Sequence, residues 1–171
     1  FTDMKKRIIQ FLTTYFLFVL LFVLQKPIFM VYYHDLYTNV SLGDYFRVMW
    51  HGLPLDLSLA GYLTAIPGIL LIASAWTNSS ILRRIRQGYF GVIAFIMACI
   101  FIIDLGLYGF WGFRLDATPI FYFFSSPKDA MASVSFWFVL LGILAILIYA
   151  AILYCICLLY TSDAADDLTR V

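Results

Sequence analysis

The chain has 171 residues, of which 64% are hydrophobic, 19% aromatic and only 12% charged, with a formal net charge of +1 and a mean hydropathy of +0.94. A soluble domain of this size cannot hide that much apolar surface, because folding covers only part of so short a chain. The composition excludes an ordinary soluble enzyme and predicts an integral membrane protein.

Met4-Lys5-Lys6-Arg7 followed by an apolar run has the form of a bacterial membrane-protein start, so residues 1–3 read as upstream sequence. The first span is predicted over about 8–31. At helical rise it crosses a hydrocarbon core of about 30 Å. Lys5, Lys6 and Arg7 put its start in the cytoplasm by the positive-inside rule. Pro27 interrupts its far end, where proline can bend a membrane helix. A short polar connection, 32–45, follows outside. Phe46 to Gly52, with Arg47, Trp50 and His51, reads as an amphipathic stretch at the interface.

The second span is predicted over 53–76 and contains Asp56 and the Pro67-Gly68 pair. Residues 77–87 then form an inner loop that carries Asn78, Arg83, Arg84 and Arg86. The third span is predicted over 88–108 and the fourth over 134–156. Between them lies an outer segment with Trp111, Arg114, Asp116, Pro119 and a cluster of aromatics. Pro127-Lys128-Asp129 in it can open a short interfacial helix, with Ser133 as a loop or cap residue. The expected fold is an all-α polytopic bundle of four spans with the N-terminus inside.

The three cysteines are Cys99, Cys155 and Cys157; with no second pair and no His nearby they do not form a metal motif. No phosphate loop, nucleophile elbow or nucleic-acid-binding pattern is present. Residues 157–167, CLLYTSDAADD, resemble a sequencing-library adapter translated in frame, so the natural sequence is expected to stop near Ile156 and 157–171 to be an artefact. Without residues 1–3 and 157–171 the chain holds ten basic residues against six acids, all Asp. Six of those ten bases, and none of the acids, fall in the two predicted inner segments.

Depth sorts the remaining charges. Lys26 lies roughly 27 Å beyond Ile8, and Asp104 roughly 24 Å beyond Gly88, at helical rise. Lys26, Arg47, Asp56, Asp104, Arg114 and Asp116 therefore all fall near the outer-leaflet level, three of each sign. A charge in hydrocarbon costs at least about 2.5–3.5 kcal/mol, so such groups face partners or water. One reading is an ion-pair network that fixes helix packing. The other is a polar pocket in which Arg114 and Lys26 meet a phosphate headgroup while Asp56 and Asp104 hold the bases. His34 and His51 each stand alone, and interfacial placement suits them better than a ligand role.

Gly52–Gly68 (GLPLDLSLAGYLTAIPG), the basic inner loop and the stretch DLGLYGFWGFRLDATPIFYFFSSPKDAMAS from Asp104 together resemble the membrane domain of the lipoteichoic acid synthase-like phosphoglycerol transferases. These belong to the alkaline phosphatase and sulfatase superfamily. The resemblance implies five spans followed by an outer catalytic domain that uses a Thr nucleophile and a divalent metal, often manganese. It implies phosphatidylglycerol or a related membrane lipid as partner, and a bacterial cytoplasmic membrane. The fifth span and the catalytic domain are not among these residues, and no catalytic or metal-binding residue carries over. A transporter or channel, or a purely structural membrane subunit, are the competing readings.

Overall fold

A computed structural model describes residues 2–36, 39–76, 80–132 and 134–166, without the side chains of 2–3, 130–131 and 161–166. Expectations for Phe1, Asn78, Ser133 and residues 167–171 fall outside the described residues. The elements are α1 (Thr2–Tyr32), a 3-10 turn (His34–Leu36), α2 (Leu42–Ala73), α3 (Ser80–Trp111), α4 (Thr118–Ser125), α5 (Pro127–Ala132) and α6 (Phe136–Asp166). Among the described residues there is no strand. Four helices are long and apolar enough to cross a membrane, over Met4–Tyr32, Leu42–Ala73, Ser80–Trp111 and Phe136–Tyr160. The all-α, four-span architecture is thus observed. Large apolar side chains such as Phe16, Ile69, Ile100 and Leu144 stay exposed along these helices, as a surface against lipid requires.

The helices run further than the apolar stretches that announce them. Hydropathy marks only the hydrocarbon-soluble part, whereas a helix continues wherever its backbone bonds close. α2 starts at Leu42, eleven residues before the predicted second span. The residues expected to lie apart at the interface, 46–52, are its continuous first turns. Its start is fixed by Ser41 and Asp44. The Ser41 amide and hydroxyl each donate to the Asp44 carboxylate at 2.9 Å, the arrangement of a capping box. Arg83, Arg84 and Arg86 lie in the first turns of α3, not in a loop. α6 passes Ile156 without interruption to Asp166, since neither Gly nor Pro stands in its way.

The chain divides into two compact units, residues 1–89 with 156–171, and residues 90–155. In the first, α1 and α2 pack antiparallel along most of their length. From one end to the other, Arg7 meets Leu71 and Ser74, Phe11 meets Gly68, and Lys26 meets Gly52 and Asp56. The buried face of α2 is a file of mostly small residues: Asp56, Ala60, Thr64, Pro67, Gly68 and Leu71. Small side chains let two backbones approach where lipid gives no hydrophobic push between helices. A Cβ at Gly68 would stand 2.8 Å from the Phe11 ring, so this approach needs glycine. Hydroxyls in the seam are satisfied within their own helix: Thr64 donates to the Ala60 carbonyl at 2.6 Å and Thr14 to Gln10 at 2.8 Å.

In the second unit, α3 and α6 pair antiparallel through aromatics. Phe101 meets Tyr149 and Phe110 meets Phe138, each with ring centroids 5.3 Å apart. Gly106 lets the Phe138 ring come to 3.0 Å of where a Cβ would sit. The buried face of α3 is Phe90, Ala94, Met97, Ala98, Phe101, Asp104 and Leu105, at helical spacing.

Candidate functional site

Proline sets the polar demands of the first unit. Pro27, Pro54 and Pro67 all lie inside helices, and each removes the N–H that would bond the carbonyl four residues earlier. For Pro67 that carbonyl belongs to Leu63. The Tyr89 hydroxyl supplies the missing donor, at 2.8 Å. At the C-terminal end of α2, carbonyls again lack intrahelical partners. Arg7 reaches them from α1: its Nη1 donates to the Leu71 carbonyl at 3.0 Å and to Ser74 Oγ at 2.8 Å, and its Nη2 to the Ser74 carbonyl at 3.0 Å. A cation at a helix C-terminus is also favoured by the macrodipole.

Toward the other end of the same seam, Lys26 forms an ion pair with Asp56. Both are largely withdrawn from solvent, with side-chain exposures of 20% and 9%. Gly52, one turn before Asp56, makes the space. A Cβ there would collide with Lys26 Cε and stand 2.9 Å from Nζ. The lysine stem therefore lies across a bare patch of α2 to reach the carboxylate.

The second unit holds a different device. α3 ends at Trp111, and Gly112 takes a left-handed φ of +72°, which glycine adopts without strain. Its amide donates to the Tyr108 carbonyl at 2.9 Å and the chain reverses. The returning segment fastens onto Asp104, two turns back along α3. Arg114 donates Nε and Nη2 to Asp104 Oδ2 at 2.7 and 2.6 Å, and the Leu115 amide donates to Oδ1 at 2.7 Å. The carboxylate is 5% exposed, the guanidinium side chain 60%. Asp116 then starts α4: it accepts from the Thr118 amide at 2.8 Å and the Thr118 hydroxyl at 3.0 Å. The Trp111 ring lies tilted against Phe113 and meets Tyr122 of α4 edge-on.

Of the six charges expected at one level, the structure joins Lys26 to Asp56 in the first unit and Asp104 to Arg114 in the second. Asp116 serves the α4 start, and Arg47 stands beside Asp44 at 4.0 Å, both in their own segments. Of the basic residues read as topology determinants, Arg7 also caps α2, a role that charge counting does not reveal. Tyr89 is not singled out by the sequence, and Gly52 enters there only as part of the Gly52–Gly68 stretch, not as a contact for Lys26. Proline inside a predicted span signals an orphan carbonyl, but not which side chain answers it. Among the described residues no buried side-chain polar atom lacks a hydrogen-bond partner. None of their His, Cys and Asp residues gather in threes to hold a metal ion. His34 pairs with its neighbour Asp35 at 2.8 Å, and His51 Nδ1 is 2.8 Å from the Arg47 carbonyl within α2. No family model, curated protein or solved structure matches the chain.

Proposed function

We infer that these residues form the membrane anchor of a phosphoglycerol transferase or sulfatase-like enzyme that works at the outer face of a bacterial cytoplasmic membrane, and that the anchor helps to present a lipid headgroup. The observation that carries the reading is where charge lies within the spans. Lys26, Asp56 and Asp104 sit toward the connections 33–41 and 112–135, and the intervening stretches 57–73 and 87–103 hold no charge. A transporter commonly places charged groups near the bilayer midplane, and these stretches hold none. The basic residues Lys5, Lys6, Arg7, Arg83, Arg84 and Arg86 support a cytoplasmic N-terminus. With alternate crossings, the charged connections then face outward.

The substrate would be phosphatidylglycerol or another phospholipid, and the reaction would belong to a domain outside these residues, with its own divalent metal. A second reading has an observation of its own. Asp104 is saturated by Arg114 and the Leu115 amide, which suits a purely structural clasp. In the complete protein, Arg114→Ala and Asp104→Ala separate the two. Headgroup presentation predicts that release of diacylglycerol from phosphatidylglycerol falls while the yield of folded protein holds. Unchanged turnover and unchanged yield defeat it. Lost yield with normal turnover per folded molecule assigns the clasp to structure alone.

A further inference from the structure

We propose that the N-terminal turns of α2 and the facing side of α1 form a binding groove for an anionic phospholipid, with one acyl chain along the groove and the phosphate on Arg47. The groove is lined by Val23 of α1 and by Gly43, Phe46, Arg47, Met49, Trp50 and Leu53 of α2, and its volume is about 490 Å³. That lies within the roughly 300–1,000 Å³ usual for ligand sites. Gly43, Phe46, Arg47, Trp50 and Leu53 recur at three- and four-residue spacing, so they share one face of the helix. From Gly43 to Leu53 the groove follows about 15 Å of helix at 1.5 Å per residue. Arg47 is the one charged residue among those lining it.

An apolar length with a single cation on its rim asks for an amphiphile with an anion at one end. Arg47 is placed to meet one. Its side chain is 80% exposed, and its nearest carboxylate, Asp44 Oδ1, stands 4.0 Å away. The other oxygen of Asp44 is taken by the Ser41 amide and hydroxyl in the helix cap. An exposed ion pair at that distance contributes little, whereas a phosphate diester offers the planar guanidinium a bidentate partner. Phe46 and Trp50, 69% and 72% exposed, leave their rings bare beside it. Because α1 and α2 are membrane spans, the molecule that combines acyl chain and phosphate surrounds this groove at high concentration. The inference needs only that membrane setting and does not rest on the transferase reading.

The test is native mass spectrometry of the full chain, reconstituted with equal amounts of phosphatidylglycerol and phosphatidylcholine of identical acyl chains and released from detergent. Both headgroups carry the phosphate diester, but the trimethylammonium of phosphatidylcholine is repelled by Arg47, so the expected result is a retained single lipid with the anionic form favoured about tenfold. Arg47→Gln should bring the two lipids to parity. Trp50→Ala, which takes away one wall of the groove, should lower retention of both. Both residues are exposed, so helicity by circular dichroism should stay unchanged in each variant. Equal retention of the two lipids by the unaltered chain overturns the proposal. So does anionic preference that survives Arg47→Gln, or a second copy of the chain retained in place of lipid.

Discussion

Gly52→Ala asks whether the Lys26–Asp56 pair stabilises the fold or merely accompanies it. The added methyl meets Lys26 Cε, with Nζ at 2.9 Å and Cδ at 3.1 Å. These atoms end a flexible chain, so the lysine swings away instead of the helices parting. What is lost is the ion pair to a carboxylate that is only 9% exposed. A hydrogen bond to a charged group contributes about 1.5–3 kcal/mol. Alanine in place of glycine returns up to about 1 kcal/mol of helix stability. The net loss expected is about 0.5–2.5 kcal/mol. Gly61→Ala on the same helix is the control, because nothing lies within 4 Å of a Cβ there. It should gain stability by about 0.5–1 kcal/mol. Unfolding in mixed micelles of increasing dodecyl sulfate fraction, followed by circular dichroism, reads both variants. If Gly52→Ala proves as stable as Gly61→Ala, Lys26 has another position of equal energy and the pair contributes nothing.

Two further outcomes follow from satisfied carbonyls. Tyr89→Phe should cost about 1–3 kcal/mol, the desolvation penalty of the Leu63 carbonyl that Pro67 leaves without a backbone donor. In a Pro67→Ala background, which restores the N–H, the same change should be close to neutral, and a double-mutant cycle in mixed-micelle unfolding measures the difference. Arg7→Ala should lower stability by about 0.5–2 kcal/mol through loss of the α2 C-terminal cap. Arg7→Lys, which keeps the charge but not the fork that reaches Leu71 and Ser74 together, should recover only part of this in the same assay.

The number of spans is legible because bilayer thickness imposes about 20 apolar residues on each one. The ends of the helices are not, because they depend on caps. Ser41-x-x-Asp44 is a recognisable start, yet Pro54 and the cluster of polar residues before it make 53 look like the boundary. That Lys26, Asp56 and Asp104 lie within long apolar helices is legible too, since intramembrane charge is costly and rare. The partners are not. Nothing in the spacing tells that Asp56 meets Lys26 across the α1–α2 seam, or that Asp104 is met by a segment returning past Gly112. Those pairings follow from one antiparallel register and one left-handed glycine. Tyr89 and Gly52 lie beyond spacing altogether, because each answers a requirement created by another helix: an orphan carbonyl in one case and a lysine stem in the other.

The two buried ion pairs look alike in sequence and differ in what they leave available. Lys26 and Asp56 are both withdrawn, and Gly52 fits the lysine stem so closely that the pair belongs to the packing of the seam. In the Asp104 clasp the acid is 5% exposed and the arginine 60%. Both oxygens of Asp104 are occupied, one by Arg114 and the other by the Leu115 amide. The acid is therefore poorly placed to act as a base or to hold a metal, while the side chain of its partner stays 60% exposed. A buried ion pair is by itself weak evidence for stability, since apolar residues of similar volume often serve as well. Its asymmetry of exposure is the more telling feature. Where the acid is hidden and fully bonded and the base is turned outward, the acid fixes the geometry of the base. On the proposed reading, contact with the substrate headgroup would fall to Arg114, whereas Lys26 holds α1 against α2.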